Sequence, residues 1–271
     1  MKLLFLGDIV GRSGRDAVVA LLPGLKRDMA LDAIVINGEN AAHGFGITPK
    51  LCQEFYAAGV DAITLGNHSW DQKELMAYAD SDPRLIRPLN TVRGTPGRGF
   101  AILELPRGKK LLAAQVIGRL FMDAADDPFG AIDDLLARYP LKGAVSAILV
   151  DVHAEATSEK MGMGHYLDGR VSAVIGTHSH IPTADAQVLP KGTAYQTDAG
   201  MCGDYDSVIG MGKETAVFKL SRKLPTDRLA PADGQATVCG VLVEIDNATG
   251  LASSIAPLRL GGRLIQASAS W

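Results

Sequence analysis

Short apolar runs that end abruptly in polar clusters recur along this chain. Positions 3–6 (Leu-Leu-Phe-Leu), 33–36 (Ala-Ile-Val-Ile) and 60–65 are brief and rich in branched residues. That pattern predicts buried strands. Between them the apolar positions take helical spacing, predicting a helix over 16–29. A second opens at Thr48-Pro49 and runs to about position 58, with threonine as the cap and proline in its favoured first position. From 84 to 117 the pattern turns β-rich, with Pro and Gly punctuation at 94–99. A helix is predicted over 126–139, a buried strand over 144–150, a helix carrying His165 over 155–166, and another buried strand over 171–175. Beyond it, 184–189, 192–197, 215–220, 237–245 and 252–260 all read as strands, so helices become scarce. The glycine-rich stretch 200–212, with Asp204 and Asp206, reads as a loop long enough to cover a site. No repeat, low-complexity stretch or linker breaks the chain. The expectation is one α/β domain over 1–271, two packed sheets flanked by helices.

Composition narrows the class. The 271 residues are 47% apolar and 21% charged, enough for a sizeable core. A net charge of −3 gives no broad footprint for nucleic acid or an anionic membrane. Cys52, Cys202 and Cys239 are too few and too scattered for a disulfide framework, which favours a reducing compartment. The first apolar run meets Asp8 after a few residues, so it predicts a strand and not a signal peptide. No run approaches the roughly 20 apolar residues of a membrane span. A cytoplasmic protein with no membrane partner and no stable nucleic-acid complex is expected.

The polar clusters carry the chemistry. Gly7-Asp8, Gly38-Glu39-Asn40, Gly66-Asn67-His68, Asp151-Val152-His153 and Gly176-Thr177-His178-Ser179-His180 each follow or close a predicted strand. Open α/β sheets hold their ligands at such ends. Alternation along an extended chain predicts that His178 and His180 point the same way. Gly11 and Gly14 match neither phosphate-loop spacing. His43 is expected to be a loop residue near the cleft. Together Asp8, Glu39, Asn40, Asn67, His68, His153, His178 and His180 supply enough oxygen and imidazole groups for two metal ions. A mixed N/O set suits iron, manganese or zinc better than magnesium or calcium.

These motifs, in this order, resemble the calcineurin-like metallophosphoesterases. Gly-Asp-Ile-Val-Gly at 7–11, Ile-Asn-Gly-Glu-Asn-Ala-Ala at 36–42, Leu-Asp-Gly-Arg-Val-Ser-Ala-Val at 167–174 and Thr-Asp-Ala-Gly-Met at 197–201 are similar to the bacterial YmdB-like branch. The resemblance runs from position 3 to about 260. It implies a four-layered α/β/β/α sandwich and a phosphodiesterase with two transition-metal ions, iron or manganese. The implied substrates are cyclic nucleotides, 2′,3′-cyclic phosphates included, and related small phosphodiesters. Asp8, Glu39, Asn40 and His180 would hold one ion, and Glu39, Asn67, His153 and His178 the other, with Glu39 bridging. His68 would give the leaving oxygen its proton, and Cys202 would be no nucleophile. The wider superfamily opens with Asp-x-His, whereas Val10 stands here and cannot ligate. Asn40 replaces that imidazole by another neutral group, as is typical of the branch. His165 reads as structural. The other readings are a phosphomonoesterase or 5′-nucleotidase, decided by 41–47 and 200–212, and a regulatory RNA-associated protein with a vestigial site. A homo-oligomer stays open.

Overall fold

A computed structural model describes residues 1–268. The chain opens with β1 (Lys2–Leu6), β2 (Asp8–Ile9), α1 (Gly11–Asp28), β3 (Ala33–Asn37), α2 (Pro49–Ala57), β4 (Ala62–Thr64), α3 (Glu74–Tyr78) and β5 (Leu85–Ile86). Then come β6 (Phe100–Leu105), β7 (Lys109–Ile117), α4 (Pro128–Arg138), β8 (Ala147–His153), α5 (Thr157–Leu167) and β9 (Ala173–Thr177). The last part holds β10 (Gln187–Val188), β11 (Ala194–Gln196), β12 (Met201–Asp204), α6 (Lys213–Arg222), β13 (Ala236–Ile245) and β14 (Ala252–Leu260).

Two mixed sheets result. The first runs β2-β12-β13-β1-β3-β4-β5, with β14 on the side of β13, and the second runs β10-β11-β9-β8-β7-β6. β1, β3 and β4 are parallel neighbours, so their three polar ends lie side by side. In the second sheet β7, β8 and β9 are parallel too. The strand period decides what each face buries. Leu4 and Leu6 pack with Ile34, Ile36 and Ile63 against Val18 and Leu22 of α1 and Phe55 of α2. Leu3 and Phe5 face the other way, into a core shared with Leu111, Ala113, Leu149 and Ala173 of the second sheet. That sheet's far side, Leu112, Ile148 and Val150, meets Ile132 and Leu135 of α4 and Met163 and Leu167 of α5. Both faces of the central strands are buried, which is why they read as unbroken apolar runs. Each fully buried Leu, Ile or Phe is worth about 1.5–3 kcal/mol over exposure, so a pairing that left one face wet is heavily disfavoured. No helix among the described residues is long and apolar enough to cross a membrane.

Thr48 caps α2 as expected, its hydroxyl accepting from the Leu51 amide. Two local expectations are corrected. The run 215–220 lies within α6 and not in a strand. Ala-Val-Phe is ambiguous by composition, and the helix is closed by Lys223 in the left-handed region at φ 53°. Most of its apolar side chains stay outside; Leu220 is 70% exposed. The stretch 200–212 is not all loop, since Met201–Asp204 forms β12 between β2 and β13. Four residues including a glycine gave no readable periodicity.

Candidate metal centre

The carboxyl ends of β1, β3 and β4 in one sheet face those of β8 and β9 in the other, and the polar clusters meet between them. Asp8 is fully buried in β2, where its Oδ2 accepts from the His178 amide at 3.1 Å. Glu39 stands in the turn after β3. Asn37 shapes that turn, its Oδ1 accepting from the Glu39 amide at 3.1 Å and its Nδ2 donating to the Leu65 carbonyl at 2.7 Å. Glu39 Oε2 accepts from the His68 amide at 2.9 Å, and Oε1 lies 3.0 Å from His153 Nε2. Asn67 Oδ1 approaches the same nitrogen at 2.8 Å, and His178 Nδ1 at 3.2 Å. His180 Nε2 is 3.7 Å from Asp8 Oδ1. Asn40 Nδ2 donates to the Gly44 carbonyl at 3.1 Å, so its Oδ1 is turned the other way. Gly66 lets this cluster close up, because a Cβ there would stand 2.3 Å from Glu39 Oε2 and 2.4 Å from His153 Nε2.

The eight residues singled out in the sequence therefore meet at one place. Glu39, His153 and His178 each offer a ligand atom, all within 4.8 Å of one another. Asp8 Oδ1, Glu39 Oε1 and Asn40 Oδ1 are buried acceptors with no hydrogen-bond donor among the described residues. Leaving such an atom unsatisfied costs about 1–3 kcal/mol, more when it is charged. His153 makes the case sharper. Its Nδ1 faces Thr177 Oγ1 at 2.9 Å, and that hydroxyl already donates to Asp151 Oδ1 at 2.7 Å. Nδ1 is thus the donor, and the neutral ring aims the lone pair of Nε2 at the lone pairs of Glu39. Only a proton or a cation reconciles them. His180 repeats the scheme, with Nδ1 at 2.8 Å from the Ile209 carbonyl and Nε2 towards Asp8. Metal-binding histidines are commonly held through the second nitrogen in this way. The donor set fits a metal.

The electrostatics of the bare site agree. Burial opposes charge on Glu39, but the His153 imidazole beside it and the His68 amide hold its carboxyl at about 2. Burial also works against charge on His153, yet Glu39 and then Asp8 push it up to about 9. Asp8 is raised to about 6 by burial, with His180 and His153 acting the other way. His178 is lowered to about 3, by burial first and then by the His153 charge. In the protein alone, a proton on His153 plays the cation's part.

The His178–His180 stretch differs from its expected geometry. β9 stops at Thr177, and His178 and His180 sit at φ 92° and 66°. The two rings meet one site because the backbone turns, not because side chains alternate. Left-handed backbone at non-glycine residues costs of order 1–3 kcal/mol each and persists only when its surroundings enforce it. Asp198 enforces it. Its Oδ2 accepts from the Ser179 amide at 3.1 Å and hydroxyl at 2.7 Å, and its Oδ1 from the Gly200 amide at 2.8 Å. Lys160 of α5, itself fully buried, pairs with Oδ2 at 2.8 Å.

His68 stands at the rim, with Nδ1 2.8 Å from Asp71 Oδ2 and its ring edge-on to Phe45 at 5.2 Å. Its Nε2 has no partner among the described residues. A cavity of about 260 Å³ opens over the cluster, walled on one side by Glu39, Asn40, His68 and His178 and on the other by Phe45, Ile209, Met211 and Leu229. His43 and His165 are exposed and outside it. Cys202 is buried with its thiol donating to the Cys239 carbonyl, and burial pushes that thiol well up. The sequence reading missed Asp71, Glu155, Lys160, Thr177 and Asp198 as supports. Asp71 was legible three residues after His68; the buried Lys160 carried no signal, being one lysine on a helix.

An α/β protein with a buried nitrogen and oxygen ligand cluster between two sheets is what fold and site define. The comparisons with known proteins are more specific. The chain belongs to the YmdB-like protein family, which it matches over residues 4–258. It is 47% identical over 249 residues to the 2′,3′-cyclic-nucleotide 2′-phosphodiesterase of Bacillus subtilis (strain 168), covering 92% of this chain and 93% of the relative. Among solved structures, a hypothetical protein from Thermus thermophilus superposes with a TM-score of 0.90 at 44% identity, covering 97% of this chain and all of that one. A novel phosphatase from Mycoplasma pneumoniae gives 0.88 at 32% identity, over 96% and 93%.

Proposed function

We propose that this protein is a phosphodiesterase that hydrolyses 2′,3′-cyclic nucleotides and related small phosphodiesters at two transition-metal ions, iron or manganese. One observation carries the reading. Glu39, His153 and His178 bring ligand atoms within 4.8 Å of one another, with His180 and Asp8 paired nearby, and Asp8, Glu39 and Asn40 each keep a buried acceptor without a donor among the described residues. Asp8, Glu39, Asn40 and His180 would hold one ion and Glu39, Asn67, His153 and His178 the other. Bound there, the ions supply Lewis acidity and lower the pKa of coordinated water.

The chain's own residues do the rest. Thr177 and the Ile209 carbonyl fix the rings of His153 and His180. Asp198 holds the turn that carries His178 and His180. His68 keeps a proton on Nε2, Asp71 orients it through Nδ1, and that proton goes to the departing 2′-oxygen. An alkoxide leaves poorly unless protonated, and such help is typically worth about 10²–10⁴ in rate. The relative's name supports the diester, because it is a 2′-phosphodiesterase of 2′,3′-cyclic nucleotides.

The three hydrophobic cores, helix on sheet, sheet on sheet and sheet on helix, support the finer reading of a four-layered α/β/β/α sandwich. Residues 1–271 act as one catalytic domain, since the middle core is shared by both sheets. The three free, buried cysteines suit the cytoplasm. A panel of 2′,3′-cyclic AMP, 5′-AMP and p-nitrophenyl phosphate, with products resolved by chromatography, tests the activity. Adenosine 3′-monophosphate from the cyclic substrate, without inorganic phosphate, is the expected product. Faster release of phosphate from the monoesters would make the protein a phosphatase instead.

A further inference from the structure

The apolar wall of the cavity has no part in holding metal or moving a proton. Phe45 forms its near end, in a short loop that is unusually well fixed. The Asn40 side chain donates to the Gly44 carbonyl at 3.1 Å, and Gln72 Nε2 to the Phe45 carbonyl at 2.7 Å. The Phe45 amide donates to the Ala42 carbonyl, and Gly44 and Gly46, at φ 85° and 76°, make the turns a side chain would resist. A half-buried aromatic ring is thus presented beside a candidate ligand. Its edge contact places it 5.2 Å from the His68 ring, centroid to centroid. A planar guanidinium, that of Arg228, already lies over the ring at 5.5 Å, within cation–π range. Ile209, Met211 and Leu229 continue the wall with aliphatic surface.

We infer that Phe45, with Arg228 over it and this aliphatic wall beside it, is the platform for the substrate's nucleobase, and that the base is held by stacking and shape instead of by its edge. The inference rests on the proposed function. In a 2′,3′-cyclic nucleotide the base is attached to C1′, next to the C2′ whose oxygen receives the proton. A base so attached must lie beside whichever residue gives that proton, and the ring beside His68 is Phe45. Polar side chains in the cavity are otherwise engaged. Ser179 Oγ donates to Asp198 at 2.7 Å, and Glu155 Oε2 lies 3.2 Å from His178 Nε2. Phe45, Ile209, Met211 and Leu229 offer no hydrogen-bonding side chain to tell one base edge from another, and Arg228 is not among the residues lining the cavity. Every base has a π-face, so recognition by stacking tolerates all of them.

The test compares nucleoside 2′,3′-cyclic phosphates with glycerol 1,2-cyclic phosphate, which has the same five-membered diester and no base. The wild-type protein should hydrolyse the A, G, C and U substrates with kcat/KM within about fivefold of one another, the tolerance expected of stacking. Phe45→Ala should raise KM for all four about tenfold, the low end of a lost base–aromatic stack, and leave kcat/KM for the glycerol substrate within about twofold. Phe45→Tyr should restore the nucleotide KM. Calorimetry gives a readout without turnover: adenosine 3′-monophosphate should bind Phe45→Ala about tenfold more weakly, and inorganic phosphate unchanged. Equal losses on nucleotide and glycerol substrates would mean that Phe45 acts by holding His68, and would overturn the inference. Discrimination among the wild-type bases beyond about fiftyfold would do so too, since stacking alone does not produce it. A wild-type protein inactive on every cyclic phosphate fails at the first step, before any variant, and overturns the functional reading with the platform.

Discussion

His68 carries its assignment on one contact, Asp71 behind Nδ1, which leaves Nε2 to face substrate. The role predicts a split between substrates. His68→Ala should keep its metals and lose about 10²–10⁴ in rate on 2′,3′-cyclic AMP, whose leaving alkoxide needs a proton. On bis(p-nitrophenyl) phosphate, whose leaving group needs none, it should lose much less. Equal losses in the two assays would show a phosphate-binding role instead. Glu39 and Asn40, neighbours in sequence, should also separate. Glu39→Gln removes a negative charge that the site needs next to His153. It should reduce kcat/KM by more than about a hundredfold, beyond what losing a mere supporting residue costs. Asn40→Ala removes a neutral group whose proposed place on the metal can be taken by water, and about tenfold is expected; comparable metal content and turnover in both variants would remove the distinction between them. At this scale the site was legible because carboxylate, amide and imidazole groups clustered where apolar runs stopped. What stayed hidden was direction. Nothing in Thr-His-Ser-His shows that the strand ends at Thr177 and that both histidines take positive φ.

The turn carrying those histidines is held by α5. Lys160 and Asp198 form an ion pair with essentially no exposure of either side chain, and among the described residues Asp198 pairs with no other cation. Removing one partner of such a pair leaves a buried charge uncompensated, at a cost of about 3–5 kcal/mol. Lys160→Met should lower unfolding free energy by about that amount in urea titrations, and Lys160→Met with Asp198→Asn should recover most of it. A single variant as stable as the wild type would show that the pair does not anchor the turn. Elements were legible where apolar periodicity was long, as in β1, β3, β8, β9, α2, α4 and α5. They were misread where packing was not there to enforce a pattern. α6 buries only Ala216 among its residues, so its Ala-Val-Phe run had no face to reveal. β12 is four residues long and is held in place only by partners on both sides.

For the whole molecule, the decisive feature is that two sheets tie together directly beneath the site. Asp151 of β8 accepts from Thr64 of β4 at 2.7 Å, from Gln115 of β7 at 2.8 Å and from Thr177 at the end of β9. The polar groups from one sheet are thereby fixed against those from the other, an arrangement no local pattern encodes because its members are far apart in sequence. The α/β class followed from strand and helix alternation; the facing of the two sheets followed only from the packed cores. The central claim is that this cleft binds two transition-metal ions that the activity requires. The most direct measurement is elemental analysis by mass spectrometry on protein stripped with chelator and reloaded with Mn²⁺ or Fe²⁺, with hydrolysis of 2′,3′-cyclic AMP followed on the same samples. About two ions per chain are expected, with no turnover in the stripped protein and recovery as the ions return. Protein that binds no metal after reloading, or that hydrolyses the diester equally well when stripped, would contradict that claim.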